Sequence, residues 1–152
     1  MVLALPDVCT PEKLSAAGWK CQDLQGHMGH IGPLWTCADA QGQRSYGLLM
    51  QAQHLNPAGV VHGGALLALA DHAMSVTVWR HAARQPCVTL QLDTHFLAPA
   101  HLGDFVHCTV QIRHSTRSMV FAQATLQAGP RLLLQAQGVW KVRASRDNAC
   151  HD

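Results

Sequence analysis

From Ala65 to Trp79 the chain places apolar residues around nearly the whole circumference of a helix, with one carboxylate, Asp71, among them. Ala65, Leu66, Leu67, Ala68, Leu69, Ala70, Ala73, Met74, Val76, Val78 and Trp79 form no narrow stripe. A helix apolar all round either crosses a membrane or is enclosed by protein. Asp71, His72 and Arg80 argue against the membrane, where ionisable groups are costly. The segment therefore reads as a central helix with the rest of the chain wrapped around it.

A lone carboxylate in such surroundings has to be paired, hydrogen-bonded or shifted in pKa, and such groups concentrate where chemistry happens. The helix start adds a second component. N-P-A-G-V-V-H-G-G (Asn56 to Gly64) leads into it, and the first N–H groups of a helix have no intrahelical acceptor and carry partial positive charge. Gly63 and Gly64 leave those amides unshielded, so a developing oxyanion can approach them. Asp71 lies eight residues beyond Gly63, roughly 12 Å along the axis. A reacting carbonyl carbon sits about 3–3.5 Å from its attacker, so one helix does not supply both halves of one site. Two antiparallel copies do, with Gly63 of one chain facing Asp71 of the other. The expectation is an obligate dimer with two shared sites.

The rest of the composition excludes more than it selects. A chain of 152 residues suits one domain with a real core. The net charge of +2 comes from scattered Lys and Arg, with no basic stripe for nucleic acid. Cys9, Cys21, Cys37, Cys87, Cys108 and Cys150 show no C-x-x-C spacing, which reads as reduced, mostly buried thiols in a cytosolic protein. The opening M-V-L-A-L-P-D-V is too short and too acidic for a signal peptide. Eleven histidines include no H-E-x-x-H or H-x-H cluster; His27 and His30 lack a third partner, so no metal site is expected.

Taken in order, Thr10 and Pro11 start a short helix to about Ala17, and Gly26 to Gly32 reads as a loop. Leu34 to Ala38 and Ser45 to Gln51 read as a hairpin turning through Ala40-Gln41-Gly42. After the central helix the pattern becomes alternating: Val88, Leu90, Leu92, Thr94 and Phe96 on one face, with Thr89, Gln91, Asp93 and His95 on the other. Val106 to Ile112, Met119 to Gln127 and Leu132 to Val142 follow as strands. In the last, Leu132, Leu134, Ala136, Gly138, Trp140 and Val142 share a side. The tail from Ser145 reads as frayed. The layout is α+β: one curved antiparallel sheet wrapped on one helix.

This order and these residues resemble the hotdog fold, and more narrowly the phenylacetate-pathway (PaaI-type) acyl-CoA thioesterases of the 4-hydroxybenzoyl-CoA thioesterase superfamily. The resemblance rests on Asn56 to Gly64, on Asp71, and on L-D-T-H-F-L-A-P-A-H-L-G-D (Leu92 to Asp104), and covers roughly residues 30 to 143. It implies a homodimer, with dimers pairing into tetramers, and a site between subunits. It implies Asp71 as general base or nucleophile and the Gly63 N–H as oxyanion donor. His62 and Asn56 would orient the thioester carbonyl or the water, and Thr89 would position water near the carboxylate; Ser75, one turn after Asp71, is a second hydroxyl candidate. Arg113 and Arg117, flanking the His114-Ser115-Thr116 turn, would meet the CoA phosphates, ahead of Arg84 and Arg146. No cofactor or metal is implied, because a thioester is already electrophilic.

Each residue also has a plainer role. Asp71 would pair with Arg80, His62 would close its loop, the glycines would serve packing, Asn56 the turn and Thr89 the strand. At the level of function, the alternatives are a non-catalytic acyl-CoA-binding or sensing domain and a dehydratase or hydratase of the same fold.

Overall fold

The computed structural model describes residues 9–143. Helix α1 spans Pro11–Ala16, with Thr10 Oγ1 accepting from the Lys13 N–H as the sequence predicts. Strand β1 (Lys20–Gln22) and helix α2 (Gly26–Ile31) follow, then β2 (Leu34–Ala38) and β3 (Arg44–Leu49). A 3-10 turn at Ala52–His54 precedes the long helix α3 (Gly63–His81). The chain closes with β4 (Cys87–Phe96), β5 (Phe105–Ser115), β6 (Met119–Ala128) and β7 (Arg131–Val142).

All seven strands join one antiparallel sheet in the order β1-β2-β3-β5-β6-β7-β4, and α3 lies on one face of it. This is the α+β arrangement that the sequence pattern predicts, and it is the hotdog fold that the resemblance implies. The β2–β3 hairpin turns where expected: Asp39 Oδ1 accepts from the N–H groups of Gln41 and Gln43, and Gly42 supplies the positive φ. Leu66, Leu69, Ala70, Ala73, Met74 and Val78 pack against Leu48, Val106, Cys108, Val110, Leu134 and Trp140 from the sheet. A second cluster (Leu14, Trp19, Trp35, Cys37 and Phe105) seals α1 onto the opposite face of β2, β3 and β5.

Four expectations need correcting. Residues 26–31 are a helix, not a loop; Gly26, Gly29 and the following Gly32 hide it from propensity, while burial of Met28 and Ile31's contact with the core fix it. A Cβ at Gly29 would sit 2.3 Å from the Leu24 carbonyl oxygen, so glycine is required there. Next, α3 is not wrapped on all sides. Its sheet-facing residues are sealed, but Leu67, Ala68 and Val76 are half-buried and Trp79 is exposed. The apolar-all-round pattern has no cover on that side among the described residues.

The alternation in β4 breaks as well. Thr89 pairs with Trp140 and Gln91 with Val139, so Leu90 is the extra residue of a bulge. Across it the face switches: Thr89 turns toward α3, while Leu92, Thr94 and Phe96 keep the inward side. A similar shift near Leu133 pairs Leu132 with outward Gln127 and buries Leu133 with Leu134. The thiols, finally, are less buried than expected: Cys37 and Cys108 are buried and Cys21 is exposed. Cys150, Arg146 and the tail from Ser145 lie outside the described residues, as does the N-terminal octapeptide. Among the described residues no group of His, Cys, Asp or Glu is placed to hold a metal ion, and no helix is long and apolar enough to cross a membrane.

Candidate active site

The entry to α3 is built by a network of loop hydrogen bonds. Asn56 Oδ1 accepts from the Ala58 N–H at 2.9 Å, and its backbone pairs with Val60 and Gly59, which closes the turn. The His62 N–H donates to the His54 carbonyl oxygen at 2.7 Å. Buried His54 is the anchor of this loop. Its Nδ1 accepts from the Gln51 N–H at 2.8 Å, and its Nε2 contacts the Ile31 carbonyl oxygen at the end of α2. These partners select the Nε2–H tautomer. His54 was not legible as a site residue in the sequence, where its signal is only a histidine at the foot of the glycine-rich loop.

His62 is the N-cap of α3, with Nδ1 accepting from the Gly64 N–H at 2.8 Å. That bond leaves the hydrogen on Nε2, at the exposed edge of the ring. The Ala65 N–H returns to the His62 carbonyl oxygen, whereas the Gly63 N–H has no partner among the described residues. Phe96 lies over Gly63: a Cβ there would meet its ring at 3.0 Å. The helix thus offers one unengaged backbone donor beside an aromatic edge and a histidine N–H, an arrangement suited to a developing oxyanion.

Two and a quarter turns along the helix, Asp71 is half-buried on the flank nearest β4. Its partner is not Arg80. Thr89 Oγ1 donates to Asp71 Oδ1 at 2.9 Å, Ser75 Oγ lies 3.4 Å from Thr89 Oγ1, and Trp140 Nε1 donates to Ser75 Oγ at 2.9 Å. The direction of this chain follows from its ends. Indole is donor only and a carboxylate accepts, so the protons run from Trp140 through Ser75 and Thr89 to Asp71. The Leu90 bulge aims Thr89 into the chain. Gly138 lets the indole lie flat, since a Cβ there would sit 2.7 Å from both Trp140 Cη2 and the Gln91 carbonyl oxygen. One carboxylate oxygen is thereby fixed, and Oδ2 is left for other work. Trp140, on one side of the last strand with Leu134 and Val142, is fully buried, and its indole N–H heads the chain that ends on the carboxylate.

The remaining candidates lie elsewhere. Arg113 sits on the sheet face away from α3, where Nη1 donates to Gln111 Oε1 at 3.3 Å, and it lines a cavity of about 280 Å³ with Gln91, Asp93, Phe121 and Gln137. Arg117 is exposed in the β5–β6 turn. Arg84 stacks 5.6 Å from the Trp79 ring centre at the left-handed end of α3. The structure brings Asp71, Thr89 and Ser75 together; Gly63, His62 and Asn56 form a separate group at the helix start.

The model of the thioesterase superfamily matches residues 58–134. A Pseudomonas aeruginosa protein carrying an esterase name is 33% identical over 111 residues, covering 72% of this chain and 83% of its own length. The human cytosolic acyl coenzyme A thioester hydrolase is 27% identical over 113 residues, 67% of this chain; the match spans only 30% of that longer protein. Among solved structures, the Bacillus halodurans BH2602 protein with CoA superposes at a TM-score of 0.67 with 24% identity, covering 73% of this chain and 74% of its own. The E. coli PaaI protein of the phenylacetic acid degradation operon does so at 0.60 with 22% identity, covering 66% and 72%; likeness at that identity speaks for the fold. The chain belongs to the thioesterase superfamily, and its class is thioester hydrolase.

Proposed function

We propose that the protein hydrolyses the thioester of a medium-chain or aryl-acyl-CoA, in a site shared by two antiparallel copies. The observation that carries this reading is the hydroxyl chain that fixes one oxygen of Asp71 on an otherwise apolar helix, while the Gly63 N–H stays unengaged. As general base, Asp71 takes a proton from water as the water oxygen attacks the carbonyl carbon. The oxyanion that forms is held by the Gly63 N–H of the partner copy. Collapse breaks the carbon–sulfur bond, and the thiolate leaves with the proton that Asp71 holds. As nucleophile, Asp71 would instead form an acyl anhydride that water then opens. His62 Nε2–H and the Asn56 amide are assigned to orienting the carbonyl or the water, and Thr89 to holding the carboxylate.

Support for the shared site comes from surfaces left bare. Strand β4 is a sheet edge whose Val88, Leu90 and Phe96, with Leu97 just beyond it, are about half-exposed, and exposed apolar edges invite strand pairing. The uncovered flank of α3 lies on the same side of the molecule as this edge through the Asp71–Thr89 contact. A second copy would cover both, and pairs of such dimers would form a tetramer. Arg113 and Arg117, which take part in no ion pair among the described residues, are assigned to the CoA phosphates. The chain acts as one domain with its core from about residue 30 to 143. A cytoplasmic setting fits Cys21, Cys37, Cys87 and Cys108, all present as thiols.

The test is thiol release from phenylacetyl-CoA, 4-hydroxybenzoyl-CoA and hexanoyl-CoA by the wild type and Asp71→Asn. Turnover that falls by about 10²–10⁴-fold in the variant is expected. Acyl-CoA binding without turnover in the wild type would replace this reading with the sensing domain. Sedimentation decides the shared site, which a fully active monomer would sink.

A further inference from the structure

Arg44, Tyr46 and Leu48 are alternate residues on the helix-facing side of β3, with Arg44 at the strand start opposite the last turn of α3. Between these elements lies a cleft of about 280 Å³ lined by Gln43, Arg44, Tyr46, Thr77, Arg80 and His81. Tyr46 is only 3% exposed, and its hydroxyl makes no hydrogen bond among the described residues. Thr77 is a polar neighbour that favours the phenolate, but it donates its own hydrogen to the Ala73 carbonyl oxygen at 2.8 Å and stays outside hydrogen-bond geometry with Tyr46. Native structures rarely leave such a group without a partner.

The charges point the same way. Among the described residues no acidic side chain lines the cleft and neither arginine belongs to an ion pair. Burial raises the Tyr46 pKa, while Arg80 and Arg44 act against that rise, and both arginines line the same cleft as the phenol. His81 Nε2 lies 3.2 Å from Ser115 Oγ at the rim. Arg80 and His81 suit the negative end of a helix. Arg44 is on a strand and is not explained that way, and helix capping does not use the buried hydroxyl.

We propose that this cleft binds a phosphate monoester group, gripped by Arg44 and Arg80 with the Tyr46 hydroxyl donating from the floor and His81 at the rim. Two guanidinium forks and a hydroxyl converge from separate elements, which suits a tetrahedral oxyanion with three terminal oxygens better than a planar carboxylate. The volume falls just below the roughly 300–1,000 Å³ of pockets for drug-sized ligands, so the cleft takes the phosphate and little of its ester. It is separate from the Asp71 site: Arg80 projects about 180° around the helix axis from Asp71. The proposal does not rest on the thioesterase reading.

Tyr46 is the chain's single tyrosine, so protein labelled with ¹³C at the tyrosine ζ carbon gives one reporter resonance. Inorganic phosphate is titrated against sodium chloride at matched ionic strength. A saturable shift with phosphate alone is expected, weakened about tenfold or more in Arg44→Gln and in Arg80→Gln and unchanged in Lys13→Gln, on α1 away from the cleft. Adenosine 3′,5′-bisphosphate is the second probe. Tighter binding than phosphate at the same resonance marks the nucleotide end of CoA as the source, and equal or weaker binding marks free phosphate. No shift, the same shift in chloride, or a shift indifferent to both arginine variants overturns the site. Turnover of acyl-CoA is scored separately, so failure here leaves that reading untouched.

Discussion

The two flanks of α3 carry similar polar side chains to opposite ends. Toward β4, every hydroxyl is used: Trp140 donates to Ser75, Ser75 to Thr89 and Thr89 to Asp71. Toward β3, the Tyr46 hydroxyl is buried without a hydrogen bond and two arginines have no counter-charge among the described residues. A satisfied network fixes the geometry of its last member, here a carboxylate. An unsatisfied one is stable enough to fold, and it leaves binding capacity for a ligand to use.

Thr89 is the sharpest place to break the contrast. Thr89→Val keeps the shape of the β-branched side chain but removes the donor to Asp71. A hydrogen bond to a charged group is worth about 1.5–3 kcal/mol, so kcat for the responsive acyl-CoA should fall about tenfold to a hundredfold, and Thr89→Ser should restore most of it. If Thr89→Val turns over like the wild type, the chain does not serve the carboxylate.

Trp140→Phe acts two bonds further away. It leaves Ser75 to find another donor in a buried position, which should cost about 1–3 kcal/mol in denaturant unfolding. The kcat loss should be smaller than for Thr89→Val. An equal loss in stability with kcat unchanged would make Trp140 a packing residue alone.

The smallest expected effect is a pH slope on the β3 flank. His72 packs edge-on to Tyr46 with ring centres 6.5 Å apart. Burial lowers its pKa from the ordinary 6.5, against the opposing pull of Asp71. With the folded-state value depressed, the unfolded chain binds the proton more readily, so stability is fully present above about 6.5 and is lost as pH falls below it. Urea midpoints measured from pH 7.5 down to pH 5 should decline less steeply in His72→Gln than in the wild type. An unchanged slope would place the acid sensitivity elsewhere; His107, whose pKa burial also lowers, is the next group to substitute.

Much of this was legible in the chain. Local signals survive into the structure when they depend on residues near one another: Thr10 and Pro11 at a helix start, Gly42 in a hairpin, alternation along β6, the glycine pair that opens α3. Asp71 was conspicuous because a carboxylate among so many apolar neighbours demands an explanation. Other features were hidden because they depend on distant partners. Helix α2 has poor propensity and is held by burial and by His54, 23 residues beyond its end. The Leu90 bulge carries no composition signal, and strict alternation assigned Thr89 to the wrong face; only the register against β7 turns it toward Asp71.

The sequence by itself therefore determined the central helix, its lone carboxylate, its donor-rich start and the antiparallel strands around it, since propensity, periodicity and the cost of burying charge are properties of neighbouring residues. Tertiary structure alone decided which flank of that helix is satisfied and which is left open. Those outcomes turn on pairs such as Ser75 with Trp140 and Tyr46 with Arg80, which are far apart in the chain and meet only because the sheet brings them to the same helix.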